Sequence, residues 1–404
     1  LTYLLISLHQ DMKEVYIVSA ARTPIGSLGG VLAAASVVDL GKTAVKGAIE
    51  RAGIAAEAVQ ELYMGHVLGA NTGQAPTMQV ALAAGLPASV VCTGVNKVCA
   101  SGMKAIMLAA QSIALGDNDI VVAGGMESMS NAPHYLPAMR SGIRYGEGKV
   151  VDAIVRDGLQ DPYDQSMMGM CGETCAEEKN ISKDAQDAFA WASYERARAA
   201  YAAGYAQAEI VPVEIAVPRK SPIVVSKDEE VDNARVTGLD SVKGARAVFR
   251  QTISAVNASK INDGAAAVVL MSGEKVKELG IKPLAKITSF ADANQTPVWF
   301  TTTPALAMPK ALAKAGLTIG DIDYVEINEA FSVVALANME ILGLPHEKVN
   351  AFGGAVAMGH PIGASGARIV VTLLNVLQQK GGKRGIASIC NGGGGASAIV
   401  VELV

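Results

Sequence analysis

Two copies of one α/β unit, with a long insertion in the first, are what this chain predicts. Three observations carry the prediction. Apolar, strand-like runs alternate with helical runs, the pattern of helix-covered sheets. Ala52-Gly53 matches Ala315-Gly316 and Ala100-Ser101-Gly102 matches Ala364-Ser365-Gly366, so distant segments repeat at a spacing of 263–264 residues. Between the copies, roughly from 128 to 261, runs a stretch of different character, rich in Met, Asp, Tyr and charged residues. Such an excursion is the kind of element that covers a site.

The elements follow in order. VYIVSA (15–20) is β-branched and apolar, as a buried strand should be. LGKTAVKGAIERAG (40–53) is helical and closes on Ala-Gly, a C-cap signal. EAVQELYMGHVLG (57–69) reads as a turn and a strand. CASGMKAIMLAAQSIALGDNDIVVAGG (99–125) predicts a helix and a strand, and GASGARIVVTLLNVLQQKGGKRGIASICNGG (363–393) repeats it. In the second copy PALAMPKALAKAG (304–316) is again a helix ending in Ala-Gly. IGDIDYVEIN (319–328) is again a turn and a strand.

With 404 residues the chain can hold two domains or one large α/β unit. Its net charge of −4 gives no general case for nucleic-acid binding. Five cysteines are odd in number and sparse, which fits a reducing compartment better than a disulfide framework. No stretch resembles a span of about 20 apolar residues, so no membrane partner is expected. LTYLLISL (1–8) is too short for one and lacks the marks of a signal peptide. Met12 followed by KEVYIVSAAR reads as a start, so residues 1–11 are expected to be an upstream addition.

Four segments carry chemistry. In NKVCASGMKA (96–105), Cys99 stands between an apolar run and a helix. A helix N-terminus carries roughly half a positive charge, and cysteines placed there can have pKa values of about 3.5–7.5. A strand-turn-helix setting also exposes the sulfur, as in a nucleophile elbow. The plainer alternative is a buried, inert cysteine. In GGAVAMGHPIGASGAR (353–368), five glycines surround His360, which is placed to serve as a base or simply to bond a turn. The two helix starts are equivalent in the repeat, so pseudo-twofold packing would draw His360 and Cys99 to one centre. ICNGGGGAS (389–397) places Cys390 at a strand end before four glycines, whose N–H groups can converge as an oxyanion hole. In EINEAF (326–331), Asn328 either holds a water or carbonyl oxygen or caps a helix.

Other chemistries lack their signatures. There is no phosphate-binding G-x-x-x-x-G-K-[ST], and the glycine-rich 353–368 stretch lacks the dinucleotide spacing G-x-G-x-x-G. Cys171 and Cys175 share a helix face without a histidine pair, so zinc is not expected. His9, His66, His134 and His346 share no ligand spacing.

Taken in order, NKVCASGMKA, NEAF, GGAVAMGHPIGASGAR and CNGGGGAS resemble the thiolase family, most of all its short-chain, acetyl-transferring branch. The likeness runs from about Val15 to Val404 and extends to SAARTPIGSLGG, AGGMESMSNAP and NDGAAAVVLMS. It implies an α/β thiolase fold: two duplicated βαβαβαββ halves stacked as five αβαβα layers, with an inserted loop domain. The expected parts are an N-terminal half (12–127 with 262–281), a loop domain covering the CoA site (128–261) and a C-terminal half (282–404).

The resemblance also implies an acyltransferase that reversibly condenses two acetyl-CoA into acetoacetyl-CoA and CoA. Cys99 would be the nucleophile that carries the acetyl group, and His360 would take its proton. Cys390 would be the acid/base at the methyl of the second acetyl-CoA. Asn328 would hold a water that, with His360, binds a thioester oxygen. The N–H groups of Cys99 and Gly392 would bind the acyl-enzyme oxygen. Leu159, Met168, Arg235, Ser241, Ser259, Ala330, Phe331 and Ile362 match positions that touch substrate or CoA. Phe300 matches the acyl-pocket position, where a bulky ring favours short acyl groups over those of a broad-chain degradative 3-ketoacyl-CoA thiolase.

No cofactor is required beyond CoA as substrate and product. Some relatives bind potassium, and the matching positions are Tyr194, Ala255, Val256, Ala258 and Val356, whose backbone carbonyls can coordinate such an ion. Two departures bear on substrate affinity. Met167-Met168-Gly169 stands where many relatives have His-Met-Gly, and the run VFRQTISAVNASK (248–260) is shorter than usual. The resemblance further implies a homotetramer whose dimers join sheet edges near the Cys99 strand. The cytosol is the expected location, with the mitochondrial matrix as the alternative. Related ketoacyl-carrier-protein synthases have a second histidine where this chain has Cys390. A non-catalytic scaffold would have no need of all four motif residues, and a plain cysteine hydrolase leaves Cys390 and the repeat unexplained.

Overall fold

The structure is a computed structural model and describes residues 12–404; the expectation for residues 1–11 lies outside the described residues. The first half runs β1 (Val15–Arg22), α1 (Val37–Ala52), β2 (Glu61–Gly65), α2 (Pro76–Ala83), β3 (Val91–Val95), α3 (Ser101–Leu115), β4 (Ile120–Ser128). After a long excursion containing α4 (Met168–Glu178) and α5 (Lys183–Ala202), β5 (Asn262–Ser272) returns to the same sheet. The second half repeats the order with β6 (Ala285–Asn294), α6 (Pro304–Lys314), β7 (Tyr324–Ile327), α7 (Ser332–Leu342), α8 (Ser365–Lys380), β8 (Arg384–Asn391) and β9 (Gly395–Leu403).

The repeat holds at the helix ends. Ser36 and Asp39 form a reciprocal capping box at the start of α1. Gly53 closes that helix with φ 65°, and Gly316 takes φ 67° after α6, so each Ala-Gly pair ends its helix in the left-handed region that glycine adopts freely. In sheet order the first half reads β3-β2-β4-β5-β1 and the second β7-β8-β9-β6. The second half differs at one place: its counterpart of β3 is a single parallel bridge, Val325 to Val349. Tyr16 pairs with Lys286 and Ile17 with Ala285, so β1 and β6 join the half-sheets into one ten-stranded sheet, whose tenth strand is the short Gly26–Ser27 segment paired with β5.

Burial defines the layers. One core holds α1 and α2 against the outer face of the first half-sheet. A second holds α3 and α8 together with residues from both half-sheets. A third holds α6 against the outer face of the second half-sheet. The layers therefore run helix, sheet, helices, sheet, helix, as the family resemblance implied. Val98–Leu115 is long and apolar enough to cross a membrane by composition, contrary to the reading that no stretch is. Its apolarity has a different cause: α3 lies in the middle layer and meets a sheet on either side.

The two central helices approach through glycine. A Cβ on Gly102 would lie 2.8 Å from the Ala367 nitrogen, and one on Gly366 would lie 2.5 Å from the Met103 nitrogen. The repeated Ala-Ser-Gly motif is thus a packing device that brings the N-termini of α3 and α8 together, and with them the segments bearing Cys99 and His360.

Candidate active site

The turn from β3 into α3 is held by its own side chains. The Asn96 Oδ1 accepts from the Val98 N–H at 3.0 Å, and the Ser101 hydroxyl accepts from the Lys97 N–H at 2.8 Å. Lys97 and Lys104 both reach Asp292 on β6, at 2.7 and 2.8 Å, and so anchor the turn to the second half. Val98 takes φ 49°, a strained conformation for a β-branched residue. The strain sits immediately before Cys99 and turns that residue onto the wall of a cavity of about 720 Å³.

The N–H groups of Gly392 and of Cys99 itself face the Cys99 sulfur and favour its thiolate. Burial is the larger effect, and the charge of Glu127 adds to it, so the thiol is pushed up to about 11. This reverses the expectation of a lowered pKa: a helix N-terminus contributes half a charge, and removal from water outweighs it here.

His360 is held at the same cavity by both halves. Its N–H donates to Asn262 Oδ1 at 2.8 Å. Its ring Nδ1 lies 2.6 Å from the Ser365 hydroxyl, which in turn donates to the Pro361 carbonyl at 2.8 Å. A hydroxyl has one proton, and this one is directed at Pro361. The assignment that satisfies both contacts has Nδ1–H donating to Ser365, which leaves Nε2 as the free lone pair. Nε2 has no partner among the described residues. Burial, followed by the charge of Arg368, lowers the ring's pKa to about 3, so the imidazole is neutral across the working range.

Cys390, the next-to-last residue of β8, is fully buried, and its thiol is raised well above the ordinary value by burial, with Cys99 adding to the effect. Asn328 is also fully buried. Its Oδ1 accepts from Arg368 at 3.5 Å, while its Nδ2 has no partner among the described residues. The N-cap position of α7 belongs to Phe331, so the helix-cap alternative for Asn328 does not hold. Two buried polar atoms, Nδ2 of Asn328 and Nε2 of His360, are thus left for a ligand or water.

Comparison with known proteins now decides the family. Residues 15–274 match the model for the thiolase N-terminal domain and residues 281–403 that for the thiolase C-terminal domain. The chain belongs to the thiolase family. It is similar to an acetyl-CoA acetyltransferase of Schizosaccharomyces pombe, 57% identical over 97% of this chain and 99% of that one. A cytosolic acetyl-CoA acetyltransferase ERG10 of Gibberella zeae is 54% identical over the same shares. Among solved structures, the Acat5 thiolase of Ascaris suum in complex with coenzyme A superposes with a TM-score of 0.91. It is 45% identical and covers 97% of this chain and 100% of that one. The Bacillus anthracis acetyl-CoA acetyltransferase has a TM-score of 0.95 at 39% identity, covering 98% and 100%.

In this thiolase Leu159, Met168, Arg235, Ser259, Phe300, Ala330, Phe331 and Ile362 all line the cavity with Cys99, His360 and Gly392. Ser241 does not; its hydroxyl accepts from the Thr237 and Gly238 N–H groups and donates to the Gly238 carbonyl, holding a local turn. Phe300 is almost fully buried and packs within the core under α6. Met168 opens α4 at the wall, and Met167 just before it places a thioether on the cavity at the position of the histidine in His-Met-Gly. Of the positions matched to potassium, Tyr194, Val256 and Val356 share one core cluster, while Ala255 and Ala258 line the cavity.

Three residues of the site escaped sequence reasoning. Glu127 accepts from the N–H groups of Val67, Leu68 and Gly363 at 3.1, 3.2 and 2.9 Å, and so ties the first half to the His360 loop. Its signal was the acidic residue inside the apolar AGGMES strand. Ser365 sets the tautomer of His360. Lys260, between Ser259 and Ile261 on the cavity wall, carried no motif of its own.

Proposed function

We propose that this thiolase is an acetyl-CoA C-acetyltransferase, condensing two acetyl-CoA to acetoacetyl-CoA and CoA and catalysing the reverse thiolysis. The observation that carries the reading is the convergence on one cavity of a thiol, Cys99, an unprotonated His360 Nε2 with no partner among the described residues, and N–H groups facing the sulfur.

The steps follow from those protonation states. Because Cys99 is held as a thiol, its proton passes to His360 Nε2 as the sulfur attacks the thioester carbonyl of acetyl-CoA. The Cys99 and Gly392 N–H groups receive the oxygen that becomes negative. Cys390 gives its proton to the departing CoA thiolate, leaving a Cys390 thiolate beside acetyl-Cys99 and a protonated His360. The imidazolium left on His360 supplies a positive charge, which lowers the pKa of Cys390 for this step. A second acetyl-CoA then loses a methyl proton to Cys390 while His360 and an Asn328-held water polarise its thioester oxygen. The enolate attacks the acetyl carbon, the Cys99 sulfur leaves, and His360 returns its proton. Each proton is accounted for, and the two half-reactions make the kinetics ping-pong.

The same reading assigns CoA and its acetyl and acetoacetyl thioesters as partners, a homotetramer as the assembly and the cytosol as the location. The last is supported by the relative named cytosolic. It divides the chain at 12–127 with 262–281, 128–261 and 282–404. Phe300 beside the cavity favours short acyl groups over the broad-chain alternative.

The test is a thiolysis assay with acetoacetyl-CoA and CoA on wild type and Cys99→Ser, with intact-mass analysis after incubation with acetyl-CoA. The expected result is turnover by wild type and an adduct of about 42 Da, acetyl replacing hydrogen, that is absent from the variant. Faster turnover of long 3-ketoacyl-CoA than of acetoacetyl-CoA would favour the broad-chain reading. No turnover and no adduct in folded protein would sink both.

A further inference from the structure

The Lys260 ammonium donates to the Tyr194 hydroxyl at 2.7 Å and to the Val356 carbonyl at 2.5 Å. It also lies 5.0 Å from the centre of the Tyr194 ring. Tyr194 and Val356 are fully buried. Both are positions at which the sequence resemblance placed a potassium ion, and their oxygens are already engaged by a cation of the chain itself. The residues present therefore do not fit that ion: it would lose two oxygens and meet a like charge.

We infer that Lys260 is a tethered monovalent cation that holds the His360 loop against the wall of the CoA cavity and makes potassium dispensable for this thiolase. Val356 stands four residues before His360. Its N–H donates to Glu329 at 3.0 Å while its carbonyl accepts from Lys260, so the peptide is held at both ends. Two residues beyond Lys260, Asn262 accepts from the His360 N–H. The short run 260–262 thus grips the His360 loop twice.

The surrounding groups support a charged Lys260. Burial lowers its pKa to about 8, opposed by the carboxylates of Glu230 and Glu329, so it remains an ammonium at neutral pH. Arg198 lies over the same Tyr194 ring, and Burial also raises the Tyr194 phenol, which stays neutral and accepts the bond. A cation attached to the chain is present at a high effective concentration and has no ion-binding step. Lys260 is a positioning residue: it acts through the loop.

The inference rests on the CoA-site reading, and its test separates the two. Wild type, Lys260→Ala and Lys260→Met are assayed by thiolysis in potassium chloride and in tetramethylammonium chloride at equal ionic strength, and their melting temperatures are taken in both salts. Wild type should change less than about twofold in kcat/KM between salts. Lys260→Ala should lose about fivefold or more in tetramethylammonium and recover most of it in potassium, a coupling of ordinary allosteric size. Lys260→Met, which fills the space without charge, should stay low in both. If no variant turns over in any salt, the functional reading fails, and melting decides this inference: potassium should stabilise Lys260→Ala and leave wild type unchanged. Activation or stabilisation of wild type by potassium overturns the inference. So does equal impairment of Lys260→Ala in both salts, or no impairment.

Discussion

A helix start does not by itself make a thiolate. At Cys99 the N–H groups that face the sulfur favour the anion, yet desolvation raises the thiol to about 11. A raised acid pKa keeps the proton on at neutral pH, so the reactive form increases as pH rises. Alkylation of Cys99 by iodoacetamide should therefore accelerate continuously from pH 6 to beyond pH 9; a plateau below pH 7 would mean that a pre-formed thiolate governs the site. The burden of activation moves to His360, and from it to Ser365. Ser365→Ala removes the acceptor that orients Nδ1–H. It should lower kcat by about one to two orders of magnitude, part of the ~10²–10⁴ that a positioned base contributes. KM for CoA should change little, and Ser365→Thr, which keeps the hydroxyl, should restore part of kcat. A change in KM alone would show that Ser365 shapes the cavity instead.

At the scale of elements, activity depends on how closely two helices approach. Gly366→Ala would place a Cβ against backbone, which cannot swing aside. It should destabilise the fold by about 1–3 kcal/mol or more, the cost of overpacking a filled core, and displace the His360 loop. Denaturant melting and kcat should fall together; an unchanged melt would mean that α3 and α8 have room to separate. This contact also shows what the sequence makes legible. The Ala-Ser-Gly repeat was visible because both copies solve one packing problem, and the constant spacing carried the strand order with it: β4 lies opposite β8 in the repeat, and β2 opposite β7. What stayed hidden depends on partners far apart in the chain. Glu127 bonds Gly363 across 236 residues, and Lys260 bonds Val356 across 96. Neither pair leaves a local pattern. The shrinkage of the third strand of the second half to one bridge, Val325 to Val349, was hidden as well. The Cys99 pKa was hidden because desolvation belongs to the folded surroundings, not to the turn.

For the whole molecule, the sheet ends on β3, and that end bears on assembly. Val91–Val95 carries no charge, pairs with β2 on one side only among the described residues, and leaves Val91 59% exposed. An uncharged open edge invites pairing with another strand, and proteins that remain single blunt such edges with lysine, proline or bulges. None of these devices is present in VCTGV. A second copy of the same edge is the occupant that the proposed tetramer supplies, and the strand leads directly into the turn that carries Cys99. Val91→Lys introduces the blunting charge on the exposed face without touching the cavity. Its expected outcome is a fall in mass by light scattering from that of four chains toward smaller assemblies. A loss of thiolysis activity should accompany it, because the Asn96–Cys99 turn loses its outer support. A four-chain mass with full activity in the variant would place the assembly contacts elsewhere. A single-chain mass for wild type would overturn the tetramer itself.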